Sequence, residues 1–336
     1  MRIGIDARIV FYRQAGIANY VVHLIEALAQ INRQDEFVLL QSRKDRLNIT
    51  DQPNFVRRSL WTPSHHRFEQ RTLPLEVWPL RLDVLHSPDF IPPMRSPVPK
   101  LITVHDLAFI RFPRFLTEDS ARYYGQIDDA VTYADHIVAV SESTKKDIVE
   151  LLGVPAGKIT VIYEAAHPIY RPIKDPQALV PIRKKYELPE NYVLFVSTIE
   201  PRKNLSTLLR AFRQLLDEYA DDNLVLVVVG AKGWLFENTF RVMDDLGLQD
   251  NVRFLGRVPL HDLPHLYNGA VVHVHPSFYE GFGLTPLEAM ACGTPTIVSN
   301  VSSLPEVVGD AGLIVDPTAV EGWVMAMWKV ISRPDF

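Results

Sequence analysis

Residues 275–295 read His275-Pro276-Ser277-Phe278-Tyr279-Glu280-Gly281-Phe282-Gly283-Leu284-Thr285-Pro286-Leu287-Glu288-Ala289-Met290-Ala291-Cys292-Gly293-Thr294-Pro295. The apolar run from Ala270 to Val274 ahead of them predicts a buried strand. A loop with Gly281 and Gly283 follows. A helix comes next, with Thr285 at its N-cap, Pro286 at its first position and Glu288 at its third. Gly293 and Pro295 stop it after about two turns. A strand that delivers a glycine loop to a helix N-terminus is a unit of an open α/β sheet. It puts free backbone N–H groups and the helix dipole where an anion is favoured. Glu280 and Glu288 flank that spot, and each has two readings. Glu288 completes a capping box with Thr285 or reaches a ligand; Glu280 is a solvated loop acid or a ligand contact.

Outward from this unit, strands and helices alternate twice. In the first half, strands are predicted at 3–6, 37–40, 84–86, 101–104, 137–140 and 159–162. Val21, Val22, Leu24, Ile25, Leu28 and Ile31 recur at helical spacing, with Gly16 just before them. Further helices are predicted at 118–134 and from Ser141 to Leu152, where Gly153 and Pro155 end the second. Residues 43–82, mixed and rich in proline and arginine, order into no clear element. Pro168, Pro172, Pro176 and Pro181 punctuate 164–190, where apolar periodicity fades. The second alternation has strands at 192–196, 224–229, 252–255, 296–298 and 313–315 besides the quoted unit. Its helices fall at 205–219, 239–246, 262–267 and from Ala319. This pattern predicts an α/β protein of two doubly wound, Rossmann-like domains. Residues 1–170 form one, 171–190 a linker, and 191–336 the other, with a ligand site in the cleft between them.

Composition narrows the function. A net charge of −5 argues against a dedicated nucleic-acid binder. Residues 40–114 nevertheless hold 12 basic against 7 acidic groups. Arg57, Arg58, Arg67, Arg71, Arg111 and Arg114 lie there among Trp61, Phe68, Trp78, Phe109 and Phe112. This is either a face for anionic lipid headgroups or an ordinary surface over core aromatics. Cys292 is the single cysteine, which fits a reducing cytoplasm. The N-terminus lacks the apolar region of a signal peptide, and no stretch of about 18 apolar residues occurs.

The segment Ser197 to Asn204 carries the second signal. Arg202 and Lys203 lie in a strand-to-helix loop, where the helix dipole opposes two adjacent cations. A diphosphate would reverse the sign; a solvated pair is the plain alternative. His105-Asp106 follows a strand's carboxyl end, as a ligand-edge pair or an Asx-type turn. Phosphate-loop and dinucleotide fingerprints, zinc spacings, a nucleophile elbow and an Asp-x-Asp are all missing from the sequence. No bound metal and no organic cofactor are therefore expected, with Arg202, Lys203 and backbone N–H groups able to neutralise a diphosphate.

These residues carry a resemblance. Glu280-x7-Glu288 in its block resembles the signature of the family 4 retaining glycosyltransferases, which have the GT-B fold. Residues 198–205 are similar to the family's donor-phosphate loop, and 104–109, 140–148 and the start from Asp6 to Tyr20 to its N-terminal half. The loop variant looks most like the bacterial mannosyltransferases of surface polysaccharides. The resemblance implies a nucleotide-diphosphate sugar in the C-terminal domain, GDP-mannose first and UDP-sugars second. Glu288 would bond the ribose and Glu280 the sugar hydroxyls. Backbone of Phe282, Gly283 and Leu284 would hold sugar and phosphate. Arg202 and Lys203 would neutralise the leaving diphosphate, and Val258 would lie against the base. Gly16 would let backbone approach the phosphate, and His105 would line the sugar site. The acceptor would be a glycan or lipid-linked glycan, with transfer at the inner face of the cell membrane and peripheral contact through the N-terminal domain. Retention would follow front-face attack, with the leaving phosphate taking the acceptor's proton. A phosphorylase or epimerase of the same fold, and a non-catalytic nucleotide-sugar or glycan binder, are the rival readings. Family members usually continue into a further helix crossing back onto the N-terminal domain, so a chain ending at Phe336 is expected to be short at its C-terminus.

Overall fold

The computed structural model describes residues 1–12, 16–112, 122–219 and 223–333. The chain divides into two compact units, Met1–Glu164 and Ala165–Phe336. The first is built on the strands Arg2–Asp6 (β1), Glu36–Ser42 (β2), Phe55–Leu60 (β3), Val84–Ser87 (β4), Lys100–Val104 (β5), His136–Ala139 (β6) and Ile159–Val161 (β7). They form one parallel sheet in the order β3-β2-β1-β4-β5-β6-β7. The order reverses between β1 and β4, which opens a crevice at their carboxyl ends. Strand β2 shows why the sheet is covered on both sides. Its Phe37 and Leu39 pack with Val21 and Ile25 of Gly16–Ile31 (α1), whereas Val38 and Leu40 pack with Leu73 and Val77 of Glu69–Val77 (α2).

Residues 43–82, unreadable in the sequence, hold β3 and α2, and Pro74 inside α2 masked its helical pattern. Of the helix expected at 118–134, the described part is Ile127–Tyr133 (α3). Residues 118–121 and Arg114 lie outside the described residues. The helix Glu142–Leu152 (α4) has the expected ends. Ser141 Oγ accepts from the Thr144 N–H, and Gly153 closes it at φ 66°.

The second unit repeats the plan with Tyr192–Val196 (β8), Val225–Val229 (β9), Val252–Gly256 (β10), Val272–His275 (β11), Thr296–Ser299 (β12) and Leu313–Val315 (β13). Its parallel order is β10-β9-β8-β11-β12-β13, reversing between β8 and β11. Helix Leu205–Tyr219 (α5) buries Leu205, Leu208, Leu209, Phe212, Leu215 and Leu216, one stripe at helical spacing, against this sheet. Gly230 leaves β9 at φ 144°, where a Cβ would stand 1.9 Å from the carbonyl oxygen of Ser197. The loop that leaves β8 can therefore lie against the loop that leaves β9.

The segment expected as a linker at 171–190 belongs to this unit. Tyr170 and Leu188 are buried with Leu266 and Tyr267, and Lys185 and Tyr186 both donate to the Asp262 carboxylate. The division thus lies earlier, between Glu164 and Ala165, because these apolar groups find their partners in the second sheet. Among the described residues, no helix is long and apolar enough to cross a membrane.

Candidate functional site

The quoted stretch leaves β11 at the point where the second sheet reverses. His275 ends the strand, Ser277 is fully buried, and the chain turns through Glu280 to Gly283. Gly283 starts the helix Leu284–Ala291 at φ 118°, and a Cβ there would press to 3.0 Å from Leu304 Cδ2. The helix therefore begins earlier than the sequence signals imply, and Thr285 is in its first turn instead of at its cap. The expected capping box does not form. Thr285 Oγ1 lies 3.2 Å from His275 Nδ1, and the Glu288 carboxylate accepts from Tyr267 Oη at 2.9 Å, with the Tyr170 hydroxyl acting on it as well. Burial pushes the Glu288 carboxyl up to about 7, although both tyrosine hydroxyls favour its charged form.

Glu280 is not a solvated loop acid. Its carboxylate is the hub of a buried cluster between β8 and β11. Lys203 Nζ donates to both its oxygens, at 2.7 and 2.8 Å. Ser277 Oγ donates at 2.7 Å, His275 Nε2 lies at 2.8 Å and Arg202 Nη1 at 3.4 Å. Burial opposes the charge, and Lys203, Arg202 and His275 outweigh it, holding this carboxyl well below its ordinary value. Burial, with the neighbouring cations, keeps His275 below its own ordinary value. Its neutral ring then donates from Nε2 to Glu280 and accepts the Thr285 hydroxyl at Nδ1. The backbone is fixed too: Ser302 Oγ accepts from the Glu280 N–H, and Ser303 Oγ bonds the carbonyls of Glu280 and Phe282.

The two cations are paired in this arrangement and do not stand as a solvated pair. They occupy a short turn, Pro201–Lys203, ahead of α5. Arg202 Nε donates to Glu200 at 3.1 Å and Nη1 to the Tyr279 carbonyl at 2.8 Å. Asn204 takes φ 55° to end the turn and ties it down by donating to the carbonyls of Pro276 and Pro317. One cluster thus joins Glu200, Arg202, Lys203, His275, Ser277 and Glu280. Phe282, Gly283 and Leu284 follow directly, and Glu288 stands about one helical turn beyond Leu284. Val258, after β10, packs in the apolar cluster that holds Tyr170, Tyr267 and Cys292.

Two residues singled out in the sequence belong to the first unit. Gly16 begins α1 and is open to solvent, with nothing within 4 Å of a Cβ placed on it. His105 leaves β5 largely buried. Its Nδ1 lies 3.0 Å from Glu164, its Nε2 2.9 Å from the Pro88 carbonyl, and its ring meets Tyr20 edge-on at 4.7 Å. Burial works against the imidazolium, and Glu164 prevails, raising the ring above its ordinary value. Asp106 accepts from the Ala108 N–H, which makes the Asx-type turn.

Sequence reading missed Glu200, His275 and Ser277. Histidines at 273 and 275, alternating within an apolar strand, were the available signal, since a buried polar side chain needs a reason. It missed Tyr170 and Tyr267 because nothing local ties them to Glu288.

Residues 181–336 match the family model described as Glycosyl transferases group 1, and residues 15–167 that described as Glycosyltransferase Family 4. O-antigen chain mannosyltransferase B of Escherichia coli is 38% identical over 240 residues, which cover 71% of this chain and 62% of that protein. O-antigen chain mannosyltransferase RfbU of Salmonella typhimurium is 32% identical over 246 residues, 73% of this chain and 64% of that protein. In both cases the chain spans less than two thirds of the relative's length. Among solved structures, sucrose-phosphate synthase from Thermosynechococcus elongatus superimposes with a TM-score of 0.77 at 21% identity, over 99% of this chain and 90% of that one. WaaG, a glycosyltransferase involved in lipopolysaccharide biosynthesis, gives 0.74 at 15%, over 99% and 91%.

Proposed function

Since the chain belongs to the GT-B glycosyltransferases, to family 4 in its first unit and group 1 in its second, we propose that it transfers mannose from GDP-mannose, with retention, to a glycan or lipid-linked glycan of a surface polysaccharide. The observation that carries this reading is the Glu280 cluster at the reversal of the second sheet, where Lys203, Arg202 and a fixed carboxylate meet a helix start. Lys203 gives two of its three N–H donors to Glu280 in the free chain, and a phosphate oxygen competes with that carboxylate for the ammonium. Arg202, held flat by Glu200 and Tyr279, adds its charge. Sugar hydroxyls donate to Glu280 and the ribose hydroxyls bond Glu288. The bond from the sugar C1 to the β-phosphate oxygen breaks as the acceptor oxygen bonds C1 on the same face. The acceptor's proton passes to the departing phosphate, so no separate base is required. With two cations placed for the diphosphate, transfer proceeds without a metal.

Membrane contact is part of the proposal. Trp61, Phe68, Leu75 and Trp78 are exposed on the first unit beside Arg43, Arg67 and Arg71. Arg43 lies over the Trp61 ring, and Trp61 N–H bonds Glu76 of α2. An aromatic and basic surface of this kind suits the cytoplasmic face of an anionic bilayer.

The test is calorimetry with GDP and UDP, followed by incubation with GDP-mannose, EDTA and an acceptor panel, with the anomeric linkage read by NMR. Tighter GDP binding and EDTA-insensitive transfer with retention are expected. Preference for UDP would move the donor to a UDP-sugar. Binding without turnover would move the chain to a non-catalytic homologue, and loss of turnover in EDTA would refute metal independence.

A further inference from the structure

The crevice where the first sheet reverses, at the ends of β1 and β4, holds a second polar cluster. Asp6, Arg8, His65, Ser87, Asp89 and Tyr123 line a cavity of about 10 Å3, room for about one water oxygen. Its frame is rigid. Arg8, 1% exposed, pairs with Asp6 at 2.6 Å and with Glu69, and donates to the Thr62 carbonyl at 3.1 Å. His65 Nε2 bonds Asp89, its ring stacks on Tyr123 at 3.7 Å, and its backbone takes a left-handed φ of 61°, uncommon away from glycine. Two side-chain atoms in the lining have no partner: Ser87 Oγ, in a residue 1% exposed, and His65 Nδ1. Buried polar atoms are rarely left so.

We propose that this cavity is a hydroxyl-binding subsite for a saccharide, with His65 Nδ1 and Ser87 Oγ as its two contacts. The chemistry selects the ligand. With Nε2 donating to the Asp89 carboxylate, Nδ1 is the ring atom left to face a ligand, an acceptor in the Nε2–H tautomer. Ser87 offers a donor. A hydroxyl both donates and accepts, and satisfies both atoms at once. An anion would face Asp6, Glu69 and Asp89. A cation would find those carboxylates already engaged by Arg8 and His65. His65 Nδ1 and Ser87 Oγ are themselves buried, whereas side-chain exposures of 14% for His65 and 12% for Asp89 put the rim of the cluster at the surface, so a hydroxyl enters past that rim. The inference rests on the reading of a sugar acceptor, and its test is independent of donor and turnover.

The intact protein, labelled with 15N-histidine, is titrated with methyl α-mannoside and methyl N-acetylglucosaminide in the millimolar range. His65→Asn, which tolerates the left-handed backbone, assigns the ring signal. A saturable shift of the His65 ring is expected with at least one probe, weakened about fivefold or more in Ser87→Ala, as the loss of one hydrogen bond implies. An unmoved ring with both probes overturns the proposal and leaves a structural water as the occupant. Equal saccharide affinity in Ser87→Ala overturns it as well. A GDP titration on the same samples is separate: GDP that fails to bind refutes the donor site and leaves the saccharide result standing.

Discussion

Replacing Glu280 by Gln keeps the shape of the hub and removes its charge. The Ser277 and His275 hydrogen bonds have an amide to accept or donate to, but Lys203 and Arg202, with side chains 13% and 14% exposed, lose their shared counter-charge. Breaking a buried pair from one side costs about 3–5 kcal/mol, most of it the stranded partner. Arg202 keeps Glu200, so the low end, about 3 kcal/mol, is expected. Hydrogen exchange on β11 measures it directly. That strand is central in the second sheet, and its amides exchange when the unit opens. About 3 kcal/mol corresponds to a loss of protection of roughly 100-fold. The Lys203→Met, Glu280→Gln double variant should recover part of the loss, since the stranded ammonium is gone. The acid arm gives a second sign. Glu280 has a depressed folded pKa, so its contribution is present above its ordinary value of 4.5 and disappears as pH falls through the folded one. The Gln variant lacks that arm. Protection that falls less than about threefold would refute the reasoning, because the cations would then stand unpaired at little cost.

Other outcomes follow from the same side chains. Glu288 has the opposite sign: its folded pKa is raised from 4.5 to about 7, so the native state holds a proton that the unfolded chain has lost, and stability falls as pH rises from about 4.5 to about 7. Glu288→Gln should flatten that slope and stabilise the protein at pH 8 by up to about 3 kcal/mol in urea titrations; an unchanged slope would assign it elsewhere. In the first unit, Glu164→Gln should move the His105 titration down, followed by histidine NMR, and a His105 value that stays raised would show that Glu164 is not its cause. Gly230→Ala brings a Cβ within 1.9 Å of the Ser197 carbonyl at a φ of 144°, so the variant should be recovered unfolded or with a displaced β8 loop, and a wild-type melting profile would contradict that.

Most of both sheets was legible because those strands are short apolar runs and their helices stripes at 3.6 spacing, as in β9 and α5, whereas β3 was not, because Arg57 and Arg58 break its run. The reach of the second unit back to Ala165 was not, because Tyr170 and Leu188 find their cover in Leu266 and Tyr267, far along the chain. The quoted stretch was read correctly as strand, glycine loop and helix. Its cap was misplaced by a conformation: Gly283 at φ 118° opens the helix early and turns Thr285 toward His275. Glu280 and Lys203 are 77 positions apart, so no local pattern could pair them. The histidine alternation at 273 and 275 was visible and went unused.

The pairing changes what a diphosphate must do to bind. Glu200 and Glu280 balance Arg202 and Lys203, with His275 neutral, so the free site carries little net charge and offers phosphate no stranded cation. Phosphate alone would have to draw Lys203 from a carboxylate it already fits. On the proposed reading, a sugar diphosphate would do this at lower cost, its sugar hydroxyls donating to Glu280 in place of the hydrogen bonds that Lys203 gives up. The carboxylate would then set the site for the whole donor over its diphosphate fragment. Removing the charge should invert that preference: Glu280→Gln is expected to bind pyrophosphate more tightly than the wild type while losing affinity for the nucleotide sugar. Equal pyrophosphate affinity in the two proteins would mean that the cations are free to begin with, and that the carboxylate serves the fold alone.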